Sequence, residues 1–291
     1  MVKKTVAIVG AGKVGSALAR AFHSRGYELV GIASKTHASA SKLAAEFNVP
    51  AGIKAAPFTK YAQIVIIATP DRTIHSIVTE IAQDGGFGPG QVVLHTSGAI
   101  SVETLEPART AGAFTGSLHP LQSFTEGENS QEKMTGAYFA LSGQKQALEE
   151  AEKIVAELGG HSFIISNQDK PLYHAAACIT SNYMVSLMHW ATQIYGQFGL
   201  SPQQATMALL PLLQGTMDNI QKFGPVDALT GPISRGDGIT IKSHLEVLGK
   251  EKELYAALGL YTVDIALEKG TIDKQQSEKL RNILTCRERI L

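Results

Sequence analysis

The side chains best suited to moving protons and holding a small substrate stand beside breaks in the local sequence pattern. His119 follows the expected strand Phe114–Leu118 and precedes Pro120, and Ser97 lies in the run His95-Thr96-Ser97-Gly98. His174 opens the stretch Ala175-Ala176-Ala177-Cys178, Asn182 follows Ser181, and Arg235 sits in the Gly/Pro-containing loop Leu229–Asp237. Histidine titrates near neutral pH, arginine grips carboxylates with two parallel hydrogen bonds, and serine and asparagine orient what lies between. That set suits hydride addition to a carbonyl or imine, which needs a proton donor, an anchor for a charged tail and groups that position the reacting carbon. His119 or His174 is then the acid, Arg235 the clamp, and Ser97 and Asn182 the positioners. At about 100° per helical residue, Cys178, Ser181 and Asn182 lie within roughly 80° of His174. Cys178 reads as a core thiol, surrounded by Ala and Ile; His95 as structural; His189 and Trp190 as packing. Arg235 and Asp237 could alternatively pair with each other and lock their loop.

A hydride needs a source, and the opening of the chain supplies a site for one. Val6–Val9 is a β-branched run fit for a strand covered on both faces, and Gly10-Ala11-Gly12-Lys13-Val14-Gly15 then leads into an Ala/Leu-rich helical pattern. In a G-x-G-x-x-G turn the first glycine makes the tight turn and the second lets a diphosphate approach backbone. The third lets helix and strand pack closely, with the helix N-terminus aimed at the phosphates. Gly10, Gly12, Lys13, Val14 and Gly15 are the expected contacts. The second strand, Glu28–Ala33, ends in Ser34-Lys35-Thr36 and not in the acidic residue that holds a ribose 2′-hydroxyl, so Ser34 and Lys35 predict NADP(H) over NAD(H). Thr69 and Pro70, at the carboxyl end of the run Ile64–Ala68, are expected near the cofactor ribose.

The elements that must position these residues follow from periodicity. Further strands are expected at Val92–His95, Phe114–Leu118, Ala137–Leu141 and Phe163–Ile165, with helices over Ala38–Phe47, Arg72–Ala82 (capped by Asp71) and Gln144–Leu158. The polar stretch Thr125–Thr135 reads as a mobile loop over the site. From Asn167 the strand pattern stops. One long helix is expected over Pro171–Phe198, another from the N-cap Ser201 to about Phe223 with a kink at Pro211, and three more over Ile239–Leu248, Glu251–Glu268 and from Lys274 on. The predicted fold is α/β: a doubly wound, mostly parallel Rossmann sheet over 1–166, followed by an all-α domain over 167–291. The long helix is apolar nearly all round, which predicts burial in a homodimer.

Composition narrows the class. Lys+Arg and Asp+Glu are both 26, a balance that argues against a nucleic-acid or membrane-surface binder. Cys178 and Cys286 are too far apart in sequence to suggest a metal site or disulfide framework. No apolar run reaches spanning length and the chain enters a strand almost at once, so a cytoplasmic protein without secretory signal is expected.

Taken together, GAGKVGSALA, ATPD, HTSGA, GSLHPLQSF, YHAAACITSNYMVSL and LTGPISRGD resemble a Rossmann-like family whose C-terminal helical domain is of unknown function. The layout is similar to pyrroline-5-carboxylate reductases, prephenate dehydrogenases and β-hydroxyacid dehydrogenases, which implies an NAD(P) domain followed by a helical dimerising domain of the 6-phosphogluconate dehydrogenase C-terminal type. His119-Pro120 resembles the His-Pro of prephenate dehydrogenases, where the histidine meets the substrate hydroxyl, and Ser97 resembles the serine on their preceding strand end. Aligned on Asn182, the catalytic lysine of β-hydroxyacid dehydrogenases falls on Cys178, so that mechanism is not available here unless a histidine substitutes. A likeness of some family members to ketopantoate reductases implies a small 2-keto acid among the substrates to consider. The expected function is an NADP(H)-dependent oxidoreductase acting on a small carboxylate-bearing carbonyl or imine. The alternative is a non-catalytic NADP(H)-sensing regulator that docks a protein partner through its helices.

Overall fold

A computed structural model describes residues 4–124 and 132–285. The residues 125–131 of the expected covering loop, and Cys286, lie outside the described residues. The chain forms two compact units, Met1–Val185 and Ser186–Leu291, and the change of pattern at Asn167 falls inside the first.

The first unit is built on strands β1 (Thr5–Val9), β2 (Glu28–Ala33), β3 (Ala51–Gly52), β4 (Ile64–Ile67), β5 (Val92–His95), β6 (Phe114–Pro120), β7 (Tyr138–Gly143) and β8 (His161–Ile164). Its helices are α1 (Lys13–Ser24), α2 (His37–Ala45), α3 (Ala56–Thr59), α4 (Asp71–Gln83), α5 (Glu106–Thr110), α6 (Lys145–Glu157) and α7 (Lys170–Cys178). The sheet order is β3-β2-β1-β4-β5-β6-β7-β8, with every neighbouring pair parallel except β6 and β7. This is the mostly parallel α/β sheet the sequence predicts.

Both faces are covered, which is why the strands read as continuous apolar runs. Ile64, Ile66 and Leu94 pack with Leu18 and Phe22 of α1 and Ile154 of α6 on one side. The alternate residues Val65, Ile67 and Val93 pack with Ile74 and Val78 of α4 and with Leu105 on the other. Because β1, β2, β4, β5 and β6 are parallel, their carboxyl ends, and the turns that follow, share one edge of the sheet.

Several local expectations need correction. Strand β3 and helices α3 and α5 carry too few residues to show a period, and the sequence reading missed them. Helix α4 begins at Asp71 itself: Pro70 is the cap, without a side-chain bond, and Asp71 lies in the first turn, where a carboxylate favours the helix dipole. The long helix expected from Pro171 starts at Lys170 and is interrupted by a π-helical turn, Ile179–Tyr183, before α8 (Met184–Gly196).

The second unit holds α9 (Pro202–Asp227), α10 (Gly238–Val247), α11 (Lys252–Lys269) and α12 (Lys274–Leu284). Ser201 and Gln204 form the expected capping box of α9. Its break lies at Gly224, which leaves helical geometry at φ 79° just before Pro225, and not at Pro211. Ile233, Ile241, Val263, Leu280 and Ile283 form this unit's own core.

Candidate active site

The turn after β1 has the form that a diphosphate needs. Gly10 has φ +112°, and a Cβ there would lie 2.4 Å from the Ala68 carbonyl oxygen, so only glycine closes this turn. A Cβ on Gly15 would fall on the Gly10 carbonyl, whereas one on Gly12 would meet nothing within 4 Å. The open space therefore lies outside the chain, over Gly12, which caps α1 without a side-chain bond and leaves the first-turn N–H groups available. Lys13 is exposed and Val14 half-buried beside it. Gly10 N–H donates to the Ala33 carbonyl (2.8 Å), which brings the end of β2 against the turn. Ser34 is half-buried there, its Oγ 3.5 Å from the Ala11 N–H, and Lys35 is exposed. Thr36, read with them as part of a phosphate site, spends its hydroxyl on capping α2. At the end of β4, Thr69 Oγ1 is buried without a partner, and Pro70 is exposed beside it. An open glycine turn, a free helix N-terminus and an orphaned hydroxyl fit a nicotinamide dinucleotide along this edge.

The second cluster lies further along the same edge, at the ends of β5 and β6 and on α7. Register sets it up. Ser117 pairs with His95 on one side and with Ser142 on the other, and His119 lies two residues on, so pleat alternation puts these side chains on one face. His119 Nδ1 and the Tyr173 hydroxyl share a hydrogen bond of 2.6 Å. The His174 ring meets His119 edge to face at 6.0 Å, and His174 Nδ1 is buried without a partner. The His119 ring lies against Gly98: a Cβ there would be 2.8 Å from Cε1 and 2.9 Å from Nε2. A cavity of about 570 Å³ opens in front of these groups. Its lining includes His119, Tyr173, His174, Cys178, Ser181 and Asn182. The residues expected on the His174 face thus do share a wall, with Ser181 and Asn182 on the π turn Ile179–Tyr183.

Electrostatics distinguish these groups. Burial, then His174 and Lys170, lower His119 to about 4, so it is neutral at pH 7 and does not stand near the ordinary imidazole value assumed for a proton donor. Burial raises the Tyr173 phenol to about 12. His95 is wholly buried and lowered to about 3, first by burial and then by Lys170 and His119. Its Nδ1 accepts the Ser97 N–H (3.1 Å), which assigns the proton to Nε2, and Nε2 has no partner among the described residues.

Ser97 serves mainly its own turn: its hydroxyl accepts the N–H groups of Ala99 (3.2 Å) and Ile100 (3.1 Å). Arg235 belongs to the second unit, where it is exposed at the end of a short 3₁₀ turn. Asp237 does not form an ion pair with it; its carboxylate caps α10, accepting from Thr240 N–H (3.0 Å) and Oγ1 (2.6 Å). Sequence reasoning missed Lys170, Tyr173, Ser117 and Ser142. Lys170 was findable, since it lies one helical turn before His174 in the column that continues to Cys178 and Asn182. Among the described residues no group of three or more His, Cys, Asp or Glu is placed to hold a metal ion, and no helix is long and apolar enough to cross a membrane.

Comparison with known proteins agrees with this architecture. A Rossmann-like domain matches residues 2–120, and a domain of unknown function, DUF2520, matches residues 137–262. No curated protein matches the chain. Among solved structures, a Bacteroides fragilis protein provisionally described as an NADP oxidoreductase superposes with a TM-score of 0.74 at 21% identity, over 91% of this chain and 98% of its own. A Thermotoga maritima protein gives 0.67 at 26% identity, over 98% and 100%. The 1-pyrroline-5-carboxylate reductase of Streptococcus pyogenes gives 0.62 at 16% identity, over 96% and 99%. At such identities the likeness is one of fold.

Proposed function

We propose that this chain, a Rossmann-like domain joined to a DUF2520 domain, is an NADP(H)-dependent oxidoreductase that reduces a small carboxylate-bearing carbonyl or imine. The observation that carries the reading is the His119–Tyr173 pair, facing a cavity on the sheet edge that also bears the glycine turn. The names of the structural neighbours, an NADP oxidoreductase and a reductase of a cyclic imine acid, point the same way. A 2-keto acid such as ketopantoate belongs to the same substrate class.

Gly10, Gly12, Lys13, Val14 and Gly15 would hold the diphosphate, Ser34 and Lys35 the 2′-phosphate, and Thr69 and Pro70 the ribose. When bound, the nicotinamide supplies the hydride. The chain's own task is then the proton. Tyr173 stays protonated at neutral pH, and its O–H can be given to an oxygen or nitrogen that becomes more basic than a phenolate as hydride adds to the neighbouring carbon. His119 Nδ1 orients that hydroxyl, and His174 stands beside the pair with an unspent ring nitrogen. Asn182 and Ser181 line the wall where the substrate's polar groups would be read. The cavity favours this reading over the regulatory alternative, which needs none.

The test is a screen of purified protein with NADPH against 2-keto acids and cyclic imines, following loss of the reduced nicotinamide. Tight NADPH binding without turnover of any of them would count against the enzyme.

A homodimer built on the helices is proposed as well. It is supported by large apolar side chains left exposed on α9, α10 and α11, among them Met207, Leu212, Ile239, Val247 and Tyr261. Light scattering on the purified protein tests it. The division into a cofactor domain over 1–166 and a substrate and dimerisation domain over 167–291, and a cytoplasmic location, complete the proposal.

A further inference from the structure

Lysine is ordinarily the most exposed of residues, yet Lys170 is 1% exposed. No carboxylate among the described residues forms an ion pair with it. It is also the first residue of α7, where the helix dipole disfavours a cation. What surrounds it is a set of oxygens: Nζ donates to Ser117 Oγ at 2.7 Å, to the Ser97 carbonyl at 3.2 Å and to Ser142 Oγ at 3.3 Å. Three acceptors match the three N–H groups of an ammonium, so the site is built for the charged form. The acceptors come from the turn after β5 and from strands β6 and β7. Ser117 and Ser142 are cross-strand partners whose hydroxyls also bond each other at 2.7 Å. Ser97 is the residue whose N–H fixes His95 and whose successor, Gly98, lies against the His119 ring.

We propose that Lys170 is a positioning residue of the candidate site: a buried ammonium that ties the turn after β5, the middle of β6 and the last residues of β7 together near His119 and sets the charge environment in which that imidazole works. Through Ser97 it holds the turn on which the His119 ring rests. Through space its charge opposes a second positive charge on His119 and His95, so the imidazoles stay neutral hydrogen-bonding groups. The ionisable groups around it are His95 on β5, His119 on β6 and Asp71 on α4, with Tyr173 and His174 on its own helix. Asp71 favours its charge and burial opposes it; burial dominates and lowers Lys170 to about 8.

This role rests on the reading of His119 as part of the proton-handling pair. It is tested without substrate, so that it can fail separately from the reductase reading. The full-length chain is labelled with ¹³C at lysine Cε and in the histidine rings, and followed by NMR as pH is varied. In the wild-type protein a lysine step near 8 is expected, recorded also by the His119 ring resonances. Lys170→Met, which removes the charge, is expected to move the His119 midpoint upward, and Lys170→Arg, which keeps it, to leave the midpoint low. A lysine that titrates only at its ordinary value near ~10.4, or a His119 ring indifferent to Lys170's proton, overturns the proposal. If Lys170→Met does not fold, the wild-type titration alone decides. A chain that shows the coupled titration but turns over no keto acid or imine keeps Lys170's role and loses the reductase.

Discussion

His119 Nδ1 and the Tyr173 hydroxyl are 2.6 Å apart, although 54 residues separate them in sequence. A strand end and a helix start have to meet for that bond to form, and each partner is shifted away from its solution behaviour by burial. Burial, then His174 and Lys170, keep the imidazole neutral, while burial keeps the phenol protonated. The bond between them therefore joins two neutral groups.

Tyr173→Phe removes the hydroxyl and leaves the ring that packs against Phe163. The kcat of NADPH-dependent reduction is expected to fall by about 10²-fold or more, the scale of lost general acid catalysis, with KM little changed. The half-buried His119 nitrogen loses its partner, and stability is expected to drop by about 1–2 kcal/mol. Steady-state kinetics and urea unfolding measure the two effects. Unchanged kcat in a folded variant would remove Tyr173 from the reaction.

Gly98→Ala tests the resting place of the His119 ring. The new methyl would lie within 3.0 Å of Cε1, Nε2 and Cδ2, so the ring must move or the turn must open. Turnover is expected to fall at least tenfold while NADPH affinity is retained, because Gly98 is not one of the residues assigned to the cofactor. Fluorescence titration with NADPH, beside turnover, separates the two. Loss of both together would place Gly98 in the cofactor site instead.

Lys35→Ala tests the choice of cofactor. Lys35 is exposed at the end of β2 with no acidic residue beside it to select the unphosphorylated dinucleotide. Loss of one charge-assisted bond to a phosphate, about 1.5–3 kcal/mol, is expected to weaken NADPH binding about ten- to a hundredfold and to leave NADH binding nearly unchanged. Calorimetry with both dinucleotides reads the difference, and equal losses for the two would refute a 2′-phosphate contact.

The sheet was legible because it is covered on both faces: Ile64–Ile67 is an unbroken apolar run and Val92–His95 is apolar up to its last residue, and glycine and proline follow close behind them. Strand β3 was not, since two residues carry no period. The wall of the cavity was read from His174 toward Asn182 by helical spacing, and Cys178, Ser181 and Asn182 do line it although a π turn, Ile179–Tyr183, interrupts the helix. Lys170 was passed over for a different reason. Its burial depends on Ser97, Ser117 and Ser142, each unremarkable alone, which become an ammonium site only after β5, β6 and β7 are placed side by side. Sequence shows what a residue can do and rarely which distant oxygens will be there to meet it.

The two buried histidines also set how stability depends on acid. His95 and His119 stand near 3 and 4 when folded, below the unperturbed 6.5 of an unfolded chain. As pH falls through 6.5 the unfolded chain takes up protons that the folded chain refuses, so unfolding becomes easier. The stability these groups contribute is full above 6.5 and is lost progressively between 6.5 and about 4 for His119, and on down to about 3 for His95. Each such group contributes a slope of about 1.4 kcal/mol per pH unit within its window. Urea unfolding at pH 7, 6 and 5 is expected to show this decline, and His95→Asn, which keeps a hydrogen-bonding side chain but does not titrate, is expected to flatten it. A wild-type stability that is level from pH 7 to 5 would mean that these imidazoles are protonated as readily in the fold as outside it.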